Sequence, residues 1–248
     1  MNSALNTKSP PMVTPIVALD VPTVESALII VSAIGDLCRF YKVGSELFTA
    51  TGPAVVKSLR EHGCDVFLDL KWHDIPNTIR GAARSGARIG ARLVTVHATG
   101  GRAMMEAAVR GAQEGSAATG IKTKVMAVTL LTSLDATRVS EAWGRPSIVV
   151  KDEVHRLADQ ARAAGVDGVV CGGDEAAEVR AAHGDALEIL VPGVRLAGSA
   201  SNDQVRVTTP EHAVEAGANY IVVGRTVTGA PIVRDAMRQV LKALAQPV

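Results

Sequence analysis

Val66-Phe67-Leu68-Asp69-Leu70-Lys71-Trp72-His73-Asp74-Ile75-Pro76-Asn77-Thr78 is the stretch from which the rest of the chain can be read. Val66, Phe67 and Leu68 are apolar and β-prone, and Ile75-Pro76 stops an extended run. The first half therefore reads as a buried strand that leaves its sheet near Lys71. Side chains alternate along a strand, so Asp69 and Lys71 share one face while Leu68 and Leu70 share the other. Asp74 follows three residues after Lys71, where the backbone can turn it toward the same mouth or toward a neighbouring molecule. Two carboxylates beside one ammonium favour the charged form. That arrangement describes a positioned acid rather than a nucleophilic amine. Taken alone, such a triplet is most simply a solvated set of weak ion pairs; the apolar β-run leading into it points to a site.

Outward from this stretch the same unit recurs: a short Val/Ile/Leu-rich run, a polar or glycine turn, then an alanine-rich amphipathic segment. Toward the N-terminus, Ile16 to Leu19 ends in Asp20 and precedes a helix opening near Thr23. Phe40 to Val43 contains Lys42 and precedes a helix from about Pro53 to His62, closed by Gly63. Toward the C-terminus come a helix over Ile79 to Ala87 with Arg80, Arg84 and Arg88 at four-residue intervals, a strand from Leu93 ending in His97, and a helix over Gly101 to Gly111. A run from Val125 to Leu131 ends in Thr132-Ser133; a longer connection then leads to a helix from about Val150 to Ala164. Gly168 to Cys171, Glu188 to Val191 and Tyr220 to Val223 supply the last three runs, each followed by helical sequence. Eight such units at a spacing of roughly 30 residues, with strands apolar throughout, specify a parallel sheet buried on both faces and closed into a (β/α)8 TIM barrel, an α/β fold; an open doubly wound sheet is the runner-up.

The 248 residues, 47% of them hydrophobic, suit a single domain over residues 12–248 after a polar, flexible tail over residues 1–11 that has no secretory pattern. A net charge of +1 offers no basic field for nucleic acid. No run approaches the roughly 18 apolar residues of a membrane span. Cys38, Cys64 and Cys171 are odd in number and widely spaced, which argues against a disulfide framework or a zinc site and suits a reducing cytoplasm.

In a barrel of this type the active site lies at the carboxyl ends of the strands. Asp20, Lys42, Asp69, Lys71, His97, Thr132, Arg195 and Arg225 all fall there. His97 is left out of the catalytic set, because a histidine ending an apolar strand is more often a hydrogen-bonded structural group. Gly224-Arg225 after the eighth run and Pro192-Gly193-Val194-Arg195 after the seventh sit where such barrels hold phosphate with backbone N–H groups and a cation. Glycine-rich runs at Ala98–Arg102 and Cys171–Asp174 lack dinucleotide-binding spacing. The polar stretch from Arg195 to Arg206 reads as a lid over the phosphate, with Gln204 reaching in.

These residues resemble the orotidine 5′-phosphate decarboxylase family over nearly the whole chain. The resemblance is carried by V-A-L-D ending at Asp20, K-V-G at Lys42, D-L-K-W-H-D-I-P-N-T from Asp69 to Thr78, V-T-L-L-T-S around Thr132, V-P-G-V-R ending at Arg195, Gln204, and V-V-G-R ending at Arg225. It implies a homodimer with shared active sites that decarboxylates orotidine 5′-monophosphate with no metal or organic cofactor. By similarity Lys42, Asp69, Lys71 and Asp74 form an alternating charged network, Asp74 and Thr78 cross the dimer interface, and Lys71 donates the proton. Asp20 and Lys42 would hold ribose hydroxyls, Thr132 the pyrimidine edge, and Gln204, Gly224 and Arg225 the phosphate, with Arg195 at the lid hinge. The rival readings are a Mg2+-dependent sugar-phosphate decarboxylase or synthase of a related barrel, against which the lysine at position 42 speaks, and a non-catalytic nucleotide-binding barrel, which would gain nothing from clustered buried charge.

Overall fold

The computed structural model describes residues 13–196 and 206–245. The tail over residues 1–11 and the middle of the stretch read as a lid, Gln204 included, lie outside the described residues. Eight strands close into one parallel barrel in sequence order: β1 (Thr14–Ala18), β2 (Phe40–Gly44), β3 (Asp65–Trp72), β4 (Leu93–His97), β5 (Lys124–Val128), β6 (Gly168–Val170), β7 (Glu188–Val194) and β8 (Tyr220–Val223). Among the described residues the helices are α1 (Val24–Ile34), α2 (Ser45–Thr51), α3 (Ala54–Glu61), α4 (Pro76–Arg88), α5 (Arg102–Thr119), α6 (Ala136–Trp143), α7 (Val150–Ala163), α8 (Gly173–His183), α9 (Pro210–Glu215), α10 (Arg225–Thr228) and α11 (Val233–Ala245). None of them is long and apolar enough to cross a membrane.

The closed barrel is the architecture that the recurring unit specifies, and the open sheet is excluded. Several boundaries differ from the sequence reading. The third strand runs on to Trp72 rather than leaving its sheet near Lys71, and α5 continues well beyond Gly111. Three short helices, α2, α6 and α10, fill connections that read as turns or loops, because segments of four to eight residues are too short to display helical periodicity. Capping explains several starts: the Thr23 hydroxyl accepts from Ser26 N–H, Asp135 from Arg138 N–H and Thr209 from His212 N–H.

The strands are apolar on both faces because each face meets a different core. Outward residues such as Val17, Tyr41, Val66, Leu68, Val94 and Val125 pack under the helices. Inward residues Ile16, Phe40, Phe67, Leu93, Met126, Val170, Leu190 and Val222 fill the barrel. At its amino-terminal end the interior is closed by a polar plug. Lys124 Nζ bonds Glu188 Oε1, Tyr220 OH donates to Glu188 Oε2 at 3.2 Å, and Lys124 Nζ reaches Tyr220 OH at 3.1 Å. The barrel is therefore a packed core with one open end.

α4 and α5 are in unusually close contact. A Cβ built on Gly111 would lie 2.1 Å from the Arg80 carbonyl oxygen, and one on Gly115 would lie 2.4 Å from that of Arg84. Two of the three arginines spaced along α4 are paired across this contact, since Arg80 and Arg84 both bind Glu114. Gly111→Ala should destabilise the fold by about 1–3 kcal/mol through overpacking, although alanine is the better helix former by about 1 kcal/mol; urea denaturation measures it, and unchanged stability would mean the helices are not held this close. The three cysteines are buried as free thiols, and burial pushes Cys171 up to about 12 and raises Cys38 and Cys64 above the ordinary thiol range. A thiol reagent at mildly alkaline pH should accordingly leave the native chain unmodified and label all three cysteines in denaturant.

Candidate active site

The inward positions change character one step up each strand. Two residues beyond Phe40, Phe67 and Leu93 on the same faces stand Lys42, Asp69 and Thr95. The upper layer of the barrel is therefore polar where the layer beneath is greasy. Asp69 is 7% exposed and its carboxylate is fully engaged: Oδ2 lies 2.7 Å from Lys71 Nζ and 3.8 Å from Lys42 Nζ, while Oδ1 accepts from the Thr95 hydroxyl at 2.9 Å. Lys42 Nζ in turn lies 2.8 Å from Asp20 Oδ1. Gly44 makes room for this pair, since a Cβ there would sit 2.8 Å from Lys42 Nζ. Asp20, Lys42, Asp69 and Lys71 thus form a chain of alternating sign in which a buried carboxylate is held by cations and a hydroxyl donor.

Lys71 reaches this position through an irregular backbone. Its φ is +48°, a left-handed conformation rare outside glycine. The ladder shifts there: Leu68 pairs with Val94, but the next pair is Trp72 with Val96, so β3 carries extra residues over this span. The Lys71 N–H, displaced from the ladder, donates to Thr95 Oγ1 at 2.9 Å. Bulges beside active sites re-aim side chains, and the left-handed residue costs roughly 1–3 kcal/mol that the surrounding contacts must offset. A second shift lies in β7 between Val191 and Val194, where Gly193 has a φ of +71°.

The polar layer opens on a cavity of about 380 Å³, a size that suits a small-molecule ligand. Its lining brings together Asp20, Lys42, Asp69, Lys71, Thr132, Arg195, Gly224 and Arg225, eight of the residues predicted for the site. Apolar Phe67, Val128, Leu130, Val170 and Val222 also line it. Asp74 and Thr78 do not line it. Both are exposed, and Asp74 Oδ1 accepts from the N–H of Ile75, whose own side chain is 66% exposed. His97 also lies outside the lining; its ring stacks at a tilt on His73 with centroids 5.6 Å apart, and burial, then His73, push its pKa below the ordinary histidine value. Among the described residues no three His, Cys, Asp or Glu side chains are grouped to hold a metal. Thr95, fully buried, is the residue that sequence reasoning missed. Its signal was a lone hydroxyl in the apolar run Leu93-Val94-Thr95-Val96, on the inward face.

Comparison with known proteins adds the following. The model of the orotidine 5′-phosphate decarboxylase / HUMPS family matches residues 14–240. An orotidine 5′-phosphate decarboxylase of Anaeromyxobacter sp. (strain K) is 49% identical over 229 residues, covering 92% of this chain and 96% of its own. One of Heliobacterium modesticaldum is 44% identical over 235 residues, covering 93% and 95%. The crystal structure of orotidine 5′-phosphate decarboxylase from Lactobacillus acidophilus superposes with a TM-score of 0.84 at 36% identity, over 94% of this chain and 99% of that one.

Thr95→Val should cost about 1–3 kcal/mol in urea denaturation, because it takes a donor from a buried carboxylate and an acceptor from the Lys71 N–H. Thr95→Ser, which keeps the hydroxyl, should recover most of that loss. Equal stability of the valine and wild-type chains would remove Thr95 from the network.

Proposed function

The chain belongs to the orotidine 5′-phosphate decarboxylase family, and from that premise we propose how its rim performs the reaction. It is a carboxy-lyase of pyrimidine biosynthesis that converts orotidine 5′-monophosphate to uridine 5′-monophosphate and CO2. The observation that carries the residue assignment is the alternating chain Asp20, Lys42, Asp69, Lys71 opening on the same cavity as Gly224 and Arg225.

When the bond between C6 and the carboxyl carbon breaks, its electron pair stays on C6 in the plane of the ring, where resonance cannot spread it. A fixed cation in a site of low polarity stabilises such a localised charge, and the same group can then protonate it. Lys71 takes both roles: its ammonium faces the developing carbanion and delivers a proton to C6, leaving an amine that solvent reprotonates. Asp69 and Thr95 hold that ammonium in place before the substrate arrives. Asp20 and Lys42 bind ribose hydroxyls, and Thr132 meets the pyrimidine edge. Gly224 and Arg225 hold the phosphate, Arg225 as a bidentate donor, with Arg195 at the base of the adjoining loop and Gln204 as a further phosphate ligand. The phosphate is remote from the breaking bond, so its binding energy can stabilise the closed transition state. The reaction needs no metal or organic cofactor.

Asp74 and Thr78 complete the site of a second copy in a homodimer. What supports this is their exposure beside Ile75, outside the cavity of their own chain. A reducing cytoplasm is the setting that suits three free thiols.

Purified protein given orotidine 5′-monophosphate in EDTA should lower the ultraviolet absorbance as the substrate is consumed; strict Mg2+ dependence would overturn the cofactor-free reading. Lys71→Ala should lose at least ~10² to 10⁴ in turnover, and near-normal activity would remove Lys71 from the mechanism. Arg225→Ala should chiefly raise KM, by the equivalent of roughly 1.5–3 kcal/mol for a charge-assisted contact. Mixing inactive Asp74→Asn and Lys71→Ala subunits should restore activity; no recovery in proven heterodimers would mean self-contained sites.

A further inference from the structure

We propose that Arg206 is a positioning residue for the ring end of the substrate, tying the segment that carries Thr132 to the base of the phosphate-side loop. The proposal rests on the functional reading above for what Thr132 and that loop bind. β5 ends at Val128; Thr129 N–H still bonds the Val170 carbonyl of β6, and the chain then turns away through Leu130, Leu131 and Thr132. Buried carbonyls require donors. Arg206 adds donors there: its backbone N–H donates to the Thr132 carbonyl at 3.2 Å, and its Nη2 lies 3.2 Å from the Leu131 carbonyl, which also accepts from Leu134 N–H, and 3.5 Å from that of Leu130. Its Nη1 bonds Glu175 Oε1 at 2.5 Å, and Glu175, in the first turn of α8, is 3% exposed. One side chain therefore joins the connections that follow β5, β6 and β7.

The surroundings are shaped for this contact. A Cβ on Gly172 would lie 2.4 Å from Glu175 Oε2 and 3.2 Å from Arg206 Nη1, and one on Gly173 would lie 2.6 Å from Thr208. Two residues after Arg206, the Thr208 carbonyl accepts from Arg195 N–H at 2.9 Å and Thr208 bridges Val194. The connection is thereby anchored beside the end of β7. The Arg206 side chain acts on Thr132 indirectly, by holding the Leu130 and Leu131 carbonyls that precede it, whereas the bond to the Thr132 carbonyl comes from the Arg206 main chain and is kept in any side-chain variant. A buried ion pair of this kind is weak evidence for stability, since an apolar pair of equal volume often serves as well, and its best-attested use is to fix one arrangement among several. Glu175 Oε2, Arg206 Nε and Thr208 Oγ1 are buried there without a hydrogen-bond partner among the described residues.

Arg206→Ala alone leaves Glu175 buried and unpaired and can fail to fold, so the test uses the double variant Glu175→Gln/Arg206→Met, which removes both charges at similar volume. The double variant should melt near the wild-type temperature yet lose about tenfold in kcat/KM on orotidine 5′-monophosphate, within the range of positional coupling. Added to Thr132→Ala it should cause no further loss, whereas added to Asp20→Ala, on the far wall, the losses should multiply. Unchanged kcat/KM in the folded double variant, or multiplication with Thr132→Ala as well, overturns the proposal. The wild-type chain is assayed alongside: absence of turnover there overturns the functional reading, whereas turnover with a multiplicative Thr132 cycle overturns only the role of Arg206.

Discussion

A carboxylate almost wholly withdrawn from water, Asp69, is the constraint on which the upper half of this barrel depends. An isolated ionised carboxylate in such a place would be prohibitively costly, and it persists only because cations and a hydroxyl surround it. Lys71 is brought in by a left-handed residue and a ladder shift, Lys42 by the next strand with Gly44 cleared beneath its ammonium, and Thr95 by the strand on the other side. Each local irregularity is costly alone and makes sense only as part of this enclosure. The same contacts leave Lys71 aimed into the cavity before any ligand arrives, so the electrostatic arrangement proposed for the reaction is set by folding rather than by binding.

The barrel was legible because its two requirements are written in residue type. Strands with a core on each side read as unbroken Val/Ile/Leu runs, and their return at even intervals with amphipathic sequence between them leaves few topologies. The rim was legible for the same reason: Lys42 and Asp69 are the first charged residues after apolar ones on the inward face. The unread features rest on contacts between distant segments. The extra residues of β3 become visible only beside β4. Thr95 looks like an ordinary β-branched residue until Asp69 is found facing it. Arg206 and Glu175, 31 residues apart, carry no local sign of their partnership. The small helices α2, α6 and α10 were missed because tertiary packing, rather than periodicity, holds such short segments.

Two of the arginines spaced along α4 serve helix packing. Arg80 and Arg84 reach across to Glu114, while Gly111 and Gly115 let the two helix backbones meet. α4 begins immediately after Asp74-Ile75, so this clamp fixes the direction in which that exposed segment leaves the rim. Residues proposed to serve a second copy are thus supported by helix packing on the flank of their own barrel.

The plug of Lys124, Glu188 and Tyr220 carries a consequence for traffic. With side chains filling the interior from Phe40 up to Val222, the vessel has a mouth and no drain. Carbon dioxide released at the rim cannot escape downward through the barrel axis, and must depart by the doorway through which the nucleotide came in.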